Sequence, residues 1–361
     1  MIKMDKNKYT NLPLKYNFFT FAFVWHALCF YHALEKHFTC IMKKIFITLA
    51  AAFAAFGYVN AQDIETAVNL YNEAGTILNE GNVAESLPKF LECLEMAKGL
   101  GEEASNVVLD CQNIIPQIYM KLGEEAAEAS DFDNALANFR KVVETATEYG
   151  NNEDALDRAQ NLIPKMLMAK GGAMLNAKEF EQAAEAFRAV VAADSTNTTA
   201  MIRLGHSLVG KGDMDEAIEV FTSAAEIAGE GTKTEKDAMK QIANCYLKKA
   251  VACQKAKDNR GTLENAQHSA QAMSTPNAQK LIGVSALNLK QFDTAIEAFE
   301  AYLAIAPSAK DKSQIVYQLA TAYEGRKDRA KACAYYKQIV SDPQFGAVAK
   351  YKVEEELKCN Q

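Results

Sequence analysis

The sequence predicts an all-α, right-handed α-solenoid of about seven helix-turn-helix units, and three observations predict it. First, Asn113-Ile114-Ile115-Pro116 recurs as Asn161-Leu162-Ile163-Pro164, and at the same offset of 48 Gly123 falls on Gly171, Phe132 on Phe180, Ala135 on Ala183 and Phe139 on Phe187. Self-similarity at a period in this range is the signature of stacked supersecondary units. Second, a pair of residues four apart, on one helical face, recurs seven times: Ser86/Phe90, Ala135/Phe139, Ala183/Phe187, Ala217/Phe221, Thr262/Ala266, Ala295/Phe299 and Ala332/Tyr336. Third, twelve residues before each pair stands a small residue: Ala74, Gly123, Gly171, Gly205, Ala250, Gly283 and Ala320. No strand-like alternation of any length follows residue 62.

The physical reason for the third observation is close approach. Two antiparallel helices come together only where one surface offers little side chain, and the aromatic of the second helix fills the space beside it. This pattern resembles the tetratricopeptide repeat, a helix-turn-helix of about 34 residues. Successive pairs are 49, 48, 34, 45, 33 and 37 residues apart. The long steps hold roughly three extra helical turns, which belong at the start of the first helix, as in Glu102 to Ala129 and Glu153 to Ala177. Pro116 and Pro164 then fall inside long helices, where proline should kink or break them. The fourth and sixth units match the family best and the fifth, around Thr262 and Ala266, least. The solenoid is expected over 62–343, with a capping helix over 344–361. Because the motif residues are packing residues, the resemblance implies a fold and leaves the function to other features.

The first 61 residues differ from the rest: they hold nine of the eighteen phenylalanines and the only tryptophan, Trp25. Within them Met42-Lys43-Lys44 opens an apolar run from Ile45 to Phe56, and Val59-Asn60-Ala61 precedes a polar Gln62. A basic start, an apolar run of that length and small residues at its end make a secretory signal peptide over 42–61. Residues 1–41 then read as an extension upstream of the true initiator, Met42. The alternative makes 18–34 a membrane span, and membrane contact through the N-terminus is expected only if it stays uncleaved. The expected location is outside the cytoplasm, in a periplasm or secreted.

Without residues 1–61 the chain carries 32 basic and 44 acidic residues, net −12. An acidic balance argues against a nucleic-acid partner. The acidity lies in 62–200, which holds 10 basic and 24 acidic residues. Six cysteines remain: Cys93, Cys111, Cys245, Cys253, Cys333 and Cys359. Export permits disulfides. Cys93 and Cys111, on neighbouring helices around Gly99-Leu100-Gly101, form the best candidate pair, against a default of buried free thiols acting as small apolar residues.

Catalysis needs converging nucleophile, base and stabiliser, or a metal cluster. His206 and His268, the histidines after residue 61, have no cysteine, histidine or carboxylate at zinc-site spacing. Neither an enzyme nor a cofactor is expected. The resemblance implies that the working surface is the concave face, built from first-helix residues that do not pack internally. Carried onto this sequence, the groove slots are Tyr71 and Leu78, Met120 and Glu124, Met168 and Leu175, Ile202 and His206, Lys280 and Val284, and Tyr317 and Thr321. Mostly apolar and rich in methionine, they suit an apolar or amphipathic peptide segment. The family's lysine- and asparagine-based carboxylate clamp is not expected, since Met168, Gly172, Ile202 and Val284 occupy those slots. The reading is an exported scaffold or adaptor that binds a protein or peptide segment in its concave groove, with envelope assembly as the expected setting. The alternative is a protein that binds carbohydrate or a small ligand, which would ordinarily show aromatic platforms.

One consequence is directly measurable. N-terminal sequencing of the native exported protein should begin at Gln62, and a product containing Trp25 would contradict both the start site and the cleavage.

Overall fold

The computed structural model describes residues 64–359. The extension, the signal peptide, the alternative span and the Gln62 boundary lie outside the described residues. Fourteen helices form seven hairpins: α1 (Ile64–Asn79) with α2 (Val83–Gly99), α3 (Ser105–Glu128) with α4 (Phe132–Tyr149), and α5 (Glu153–Asn176) with α6 (Phe180–Ala193). Next come α7 (Thr198–Lys211) with α8 (Met214–Ala228), α9 (Lys233–Lys255) with α10 (Asn259–Ala272), and α11 (Pro276–Asn288) with α12 (Phe292–Ile305). The last pair is α13 (Lys312–Gly325) with α14 (Arg329–Gln338), followed by a short α15 (Gly346–Tyr351) that continues into a π turn, Lys352–Glu356. The fold is an all-α repeat solenoid. It divides into two compact units, up to Ile163 and from Pro164 onward, so that α5 belongs partly to each.

Six of the seven hairpins close where the sequence puts a small residue against an aromatic, and the fifth sets Ala250 with Ala266. A Cβ added at Gly123 would stand 2.6 Å from the Phe139 ring, at Gly171 2.8 Å from Phe187, and at Gly283 2.5 Å from Phe299; Gly205 meets Phe221 in the same way. At these crossings only hydrogen fits. The other crossings use Ala74, Ala250 and Ala320, all fully buried. A second set of contacts of the same kind joins successive hairpins: Phe180 lies against Gly210, and Phe292 against Gly325.

The turns within the hairpins are equally regular. Five residues before the first member of every pair sits a residue with positive φ: Gly81, Ser130, Lys178, Gly212, Lys257, Lys290 and Lys327. It is followed by an acid or amide that N-caps the second helix, as when Asp131, Asp258 and Asp328 accept from the backbone N–H three residues on. Left-handed backbone costs an L-residue about 1–2 kcal/mol, so four lysines here hold strained positions that glycine would relieve.

The long steps are long first helices: α3 and α5 have 24 residues and α9 has 23, against 14 in α7 and 13 in α11. The prolines do not break them, since α3 runs through Pro116 and α5 through Pro164. At Pro116 the reason is visible. A proline in a helix leaves the carbonyl four residues back without its donor, here Gln112, and Asn152 Nδ2 donates to that oxygen at 3.2 Å. Asn151 braces the same corner, its Nδ2 donating to Asn113 Oδ1 at 3.0 Å. Asn152 reaches it from a turn with φ of 61°.

The disulfide is not the candidate pair, and Cys93 and Cys111 follow the default of buried free thiols. Cys333 joins Cys359, with Cα atoms 5.6 Å apart, and pins the C-terminal segment against α14. Arg329 and Lys337 add bonds to carbonyl oxygens of Leu357, Lys358 and Cys359. Cys93 and Cys111 are free, buried thiols of one core. The Cys93 thiol donates to the Ala67 carbonyl oxygen at 3.3 Å.

Substitutions test this packing. Phe221→Ala should cost about 3–5 kcal/mol through the cavity it leaves, and Gly205→Leu about 1–3 kcal/mol through overpacking. Lys290→Gly should instead raise the melting temperature, by a gain of up to about 1 kcal/mol. Asn152→Gly keeps the left-handed backbone while removing the amide, and should cost about 1 kcal/mol. Thermal melts of the four variants decide; an unchanged Phe221→Ala melt would mean that the register is wrong.

Candidate functional site

Within the second unit the first helices of successive hairpins touch: α7 with α9, α9 with α11 and α11 with α13. The second helices make no comparable contacts with one another, so the first helices form the inner layer of this stack. Measured from the small crossing residue, the positions three before, one after and four after lie on one face of a helix. On α5 these are Met168, Gly172 and Leu175; on α7 Ile202, His206 and Val209; on α9 Leu247 and Val251; on α11 Lys280, Val284 and Leu287; on α13 Tyr317, Thr321 and Glu324. All of them are half-buried. The apolar members rest on the two cores of this unit and keep one side open. The result is a stripe that is largely apolar and partly accessible.

Several of these side chains have their surroundings fixed. His206 meets the Phe221 ring edge-on at 5.6 Å, and burial lowers its pKa, favouring the neutral imidazole. Lys280 Nζ pairs with Asp311 Oδ2 at 2.6 Å, and the other oxygen of Asp311 accepts from the Tyr302 hydroxyl at 2.5 Å. The Lys280 and Tyr302 hydrogen bonds hold the Asp311 carboxyl below its usual range. Tyr302 is pushed up to about 12, first by burial and then by Asp311. Glu324 pairs with Lys352 at 2.9 Å. Tyr317 is less available than a groove anchor should be, because Phe345 stacks on it at 5.5 Å and Tyr336 meets it edge-on at 5.7 Å. Thr321 spends its hydroxyl on the Tyr317 carbonyl at 3.0 Å.

The slots expected in the first unit are a different matter. Met120, at 4% exposure, and Leu78, at 7%, are core residues and cannot serve as groove contacts. Tyr71 packs edge-on against Phe90 at 5.5 Å, and Glu124 is ion-paired with Arg158. Val209, Leu247, Val251 and Leu287 belong to the stripe and were not among the expected slots. Their signal was the same spacing from the crossing residue, obscured at Ala250 because the fifth hairpin matches the repeat pattern least.

Family comparison bears on these hairpins. Models described as tetratricopeptide repeat match residues 174–231, 281–308 and 315–344, which fall on the hairpins from the end of α5 to α8, α11–α12 and α13–α14. The chain carries tetratricopeptide repeats. No curated protein matches it. Among solved structures, the crystal structure of MamA is 19% identical, covers 54% of this chain and 96% of its own, and superposes with a TM-score of 0.34. YrrB, a TPR protein with an unusual peptide-binding site, is 19% identical, covers 59% of this chain and 97% of its own, with a TM-score of 0.31. Among the described residues no cluster of histidine, cysteine and carboxylate side chains could hold a metal ion.

The Asp311 network sets a pH dependence. A carboxylate whose pKa is depressed on folding contributes stability above its unfolded value, near 4, and that stability is lost as pH falls through the lower folded value. The melting temperature should therefore drop on acidification below about pH 4, and Asp311→Asn should be less stable than the parent at pH 7 with a flatter acid limb. A parallel acid limb in the variant would contradict the role given to Asp311.

Proposed function

We propose that this chain is a non-enzymatic scaffold or adaptor that captures a segment of another protein on the inner face of its second unit. The observation that carries this reading is the half-buried stripe repeated at one register over α5, α7, α9, α11 and α13. A surface built only to close a core would bury these side chains; one built only for solvent would make them polar. Half-buried aliphatic side chains on rigid helices suit helix-in-groove or extended-peptide recognition, in which a few apolar anchors carry most of the energy.

We also propose that the protein acts outside the cytoplasm, in the envelope of a bacterium or secreted from it. The Lys43-Lys44 start and the apolar run before Gln62 support export, and the Cys333–Cys359 bond is of the kind that persists in an oxidising compartment. No helix among the described residues is long and apolar enough to cross a membrane.

The test is capture from envelope extract followed by mass spectrometry. Ile202→Asp, at the centre of the stripe, should abolish capture with a far-ultraviolet spectrum like that of the parent, a loss of at least about 2 kcal/mol if Ile202 is a hot spot. Glu219→Lys, on second helix α8, should leave capture unchanged. Retention by the Ile202 variant together with loss in the Glu219 variant would move the binding surface to the second helices.

A further inference from the structure

Charge in the second unit is sorted by layer. First helices α7, α9, α11 and α13 carry ten basic and three acidic residues, whereas second helices α6, α8, α10, α12 and α14 carry five basic and ten acidic. In the first unit the first helices α1 and α3 carry one basic and six acidic residues. The cationic inner layer is therefore a property of the second unit alone, and the net acidity of the chain conceals it.

The basic groups border the apolar stripe. Lys165 lies one turn before Met168, Lys240 two turns before Leu247, and Arg203 and Lys248 each sit beside the stripe, two residues before their crossing residues. All four are exposed, and none has an ion-pair partner among the described residues. The Arg203 guanidinium lies over Gly172, where an added Cβ would stand 3.2 Å from Nη1, which holds it across the gap between α5 and α7. Lys280 is neutralised by Asp311, and the one acid on the stripe, Glu324, by Lys352. Between Lys165 and Val251 the exposed charge bordering the stripe is mainly positive, with Asp237, one turn before Lys240, the acid among it.

Building on the reading of this face as a peptide-binding surface, we propose that its occupant is an acidic amphipathic segment of a partner protein. Its apolar side chains would lie on Ile202, Val209, Leu247 and Val251, and its carboxylates would meet Arg203, Lys240 and Lys248. Exposed charges of this kind act mainly on selectivity and association rate, and their effect falls with salt. The apolar stripe supplies the affinity.

The probes are two synthetic amphipathic peptides of about four helical turns, with the same leucine positions and with either glutamate or lysine on the polar face, binding to the full chain by fluorescence anisotropy. The glutamate peptide should bind at least about tenfold more tightly, weaken as salt rises, and lose its advantage in the doubly substituted Arg203→Glu, Lys248→Glu protein. The milder Arg203→Gln, Lys248→Gln protein should show part of the same loss, and both should melt with the parent since the two side chains are exposed. Equal binding of both peptides, abolished by Ile202→Asp, would overturn the acidic partner and leave the peptide-binding reading intact. Failure of both peptides would also overturn the proposal; if Ile202→Asp in addition left capture from extract unchanged, the peptide-binding reading itself would fall. Heparin competing fully while Ile202→Asp binds the glutamate peptide normally would mark a bare polyanion site. Self-association of the parent that the double charge reversal abolishes would make the occupant a second copy. Either result would overturn the proposal.

Discussion

At the four glycine crossings the aromatic ring of the second helix lies where a side chain of the first helix would otherwise stand, and most other features of these repeats follow from that exclusion. With Phe139 against Gly123, Phe187 against Gly171, Phe221 against Gly205 and Phe299 against Gly283, backbone and ring approach as closely as hydrogen allows. The contact fixes the rotation of the first helix about its own axis. Once rotation is fixed, the positions three before and one after the crossing residue fall together to one side of it, half-buried. A packing constraint thereby selects which side chains stay half-exposed.

The same constraint explains what the turns and corners tolerate. A hairpin closed this tightly needs a left-handed residue at the same place each time, and lysine occupies it four times despite the strain. The lengthened helices α3 and α5 admit proline for a related reason. The carbonyl that Pro116 leaves without a helical donor is met by the Asn152 amide, so the next hairpin supplies what the helix lacks. At the other end, the Cys333–Cys359 bond and the Arg329 and Lys337 contacts hold the C-terminal segment over the last hairpin, where a repeat array would otherwise expose a core face.

How far the sequence revealed this depended on whether a feature is local in register. Hairpin number, crossing residues and extra helical length follow from spacing, and all could be read. The proline corner could not, because its remedy comes from Asn152, on the turn after the following helix. Nor could the cysteine pairing: Cys93 and Cys111 are close but remain thiols, while Cys359 reaches Cys333 through a π turn that leaves no periodic trace. For the site, register located Met168, Ile202 and Val284 on the stripe. It failed at Met120, which lies buried in the first unit although it shares the register of Met168, and at Leu247 and Val251, where the fifth hairpin uses Ala250 and Ala266 in place of glycine and phenylalanine. The cationic layer was hidden by counting charge along the chain instead of by helix.

The central claim is that the glycine–aromatic contact itself holds in register the four hairpins that contain it. A double-mutant cycle at Gly283 and Phe299 tests it most directly. Gly283→Ala puts a Cβ against the ring, and Phe299→Leu removes the ring that it meets. If the contact governs the crossing, the alanine substitution should be destabilising with phenylalanine present and nearly neutral with leucine present, a coupling of at least about 0.5 kcal/mol. Strict additivity of the two substitutions would contradict the account.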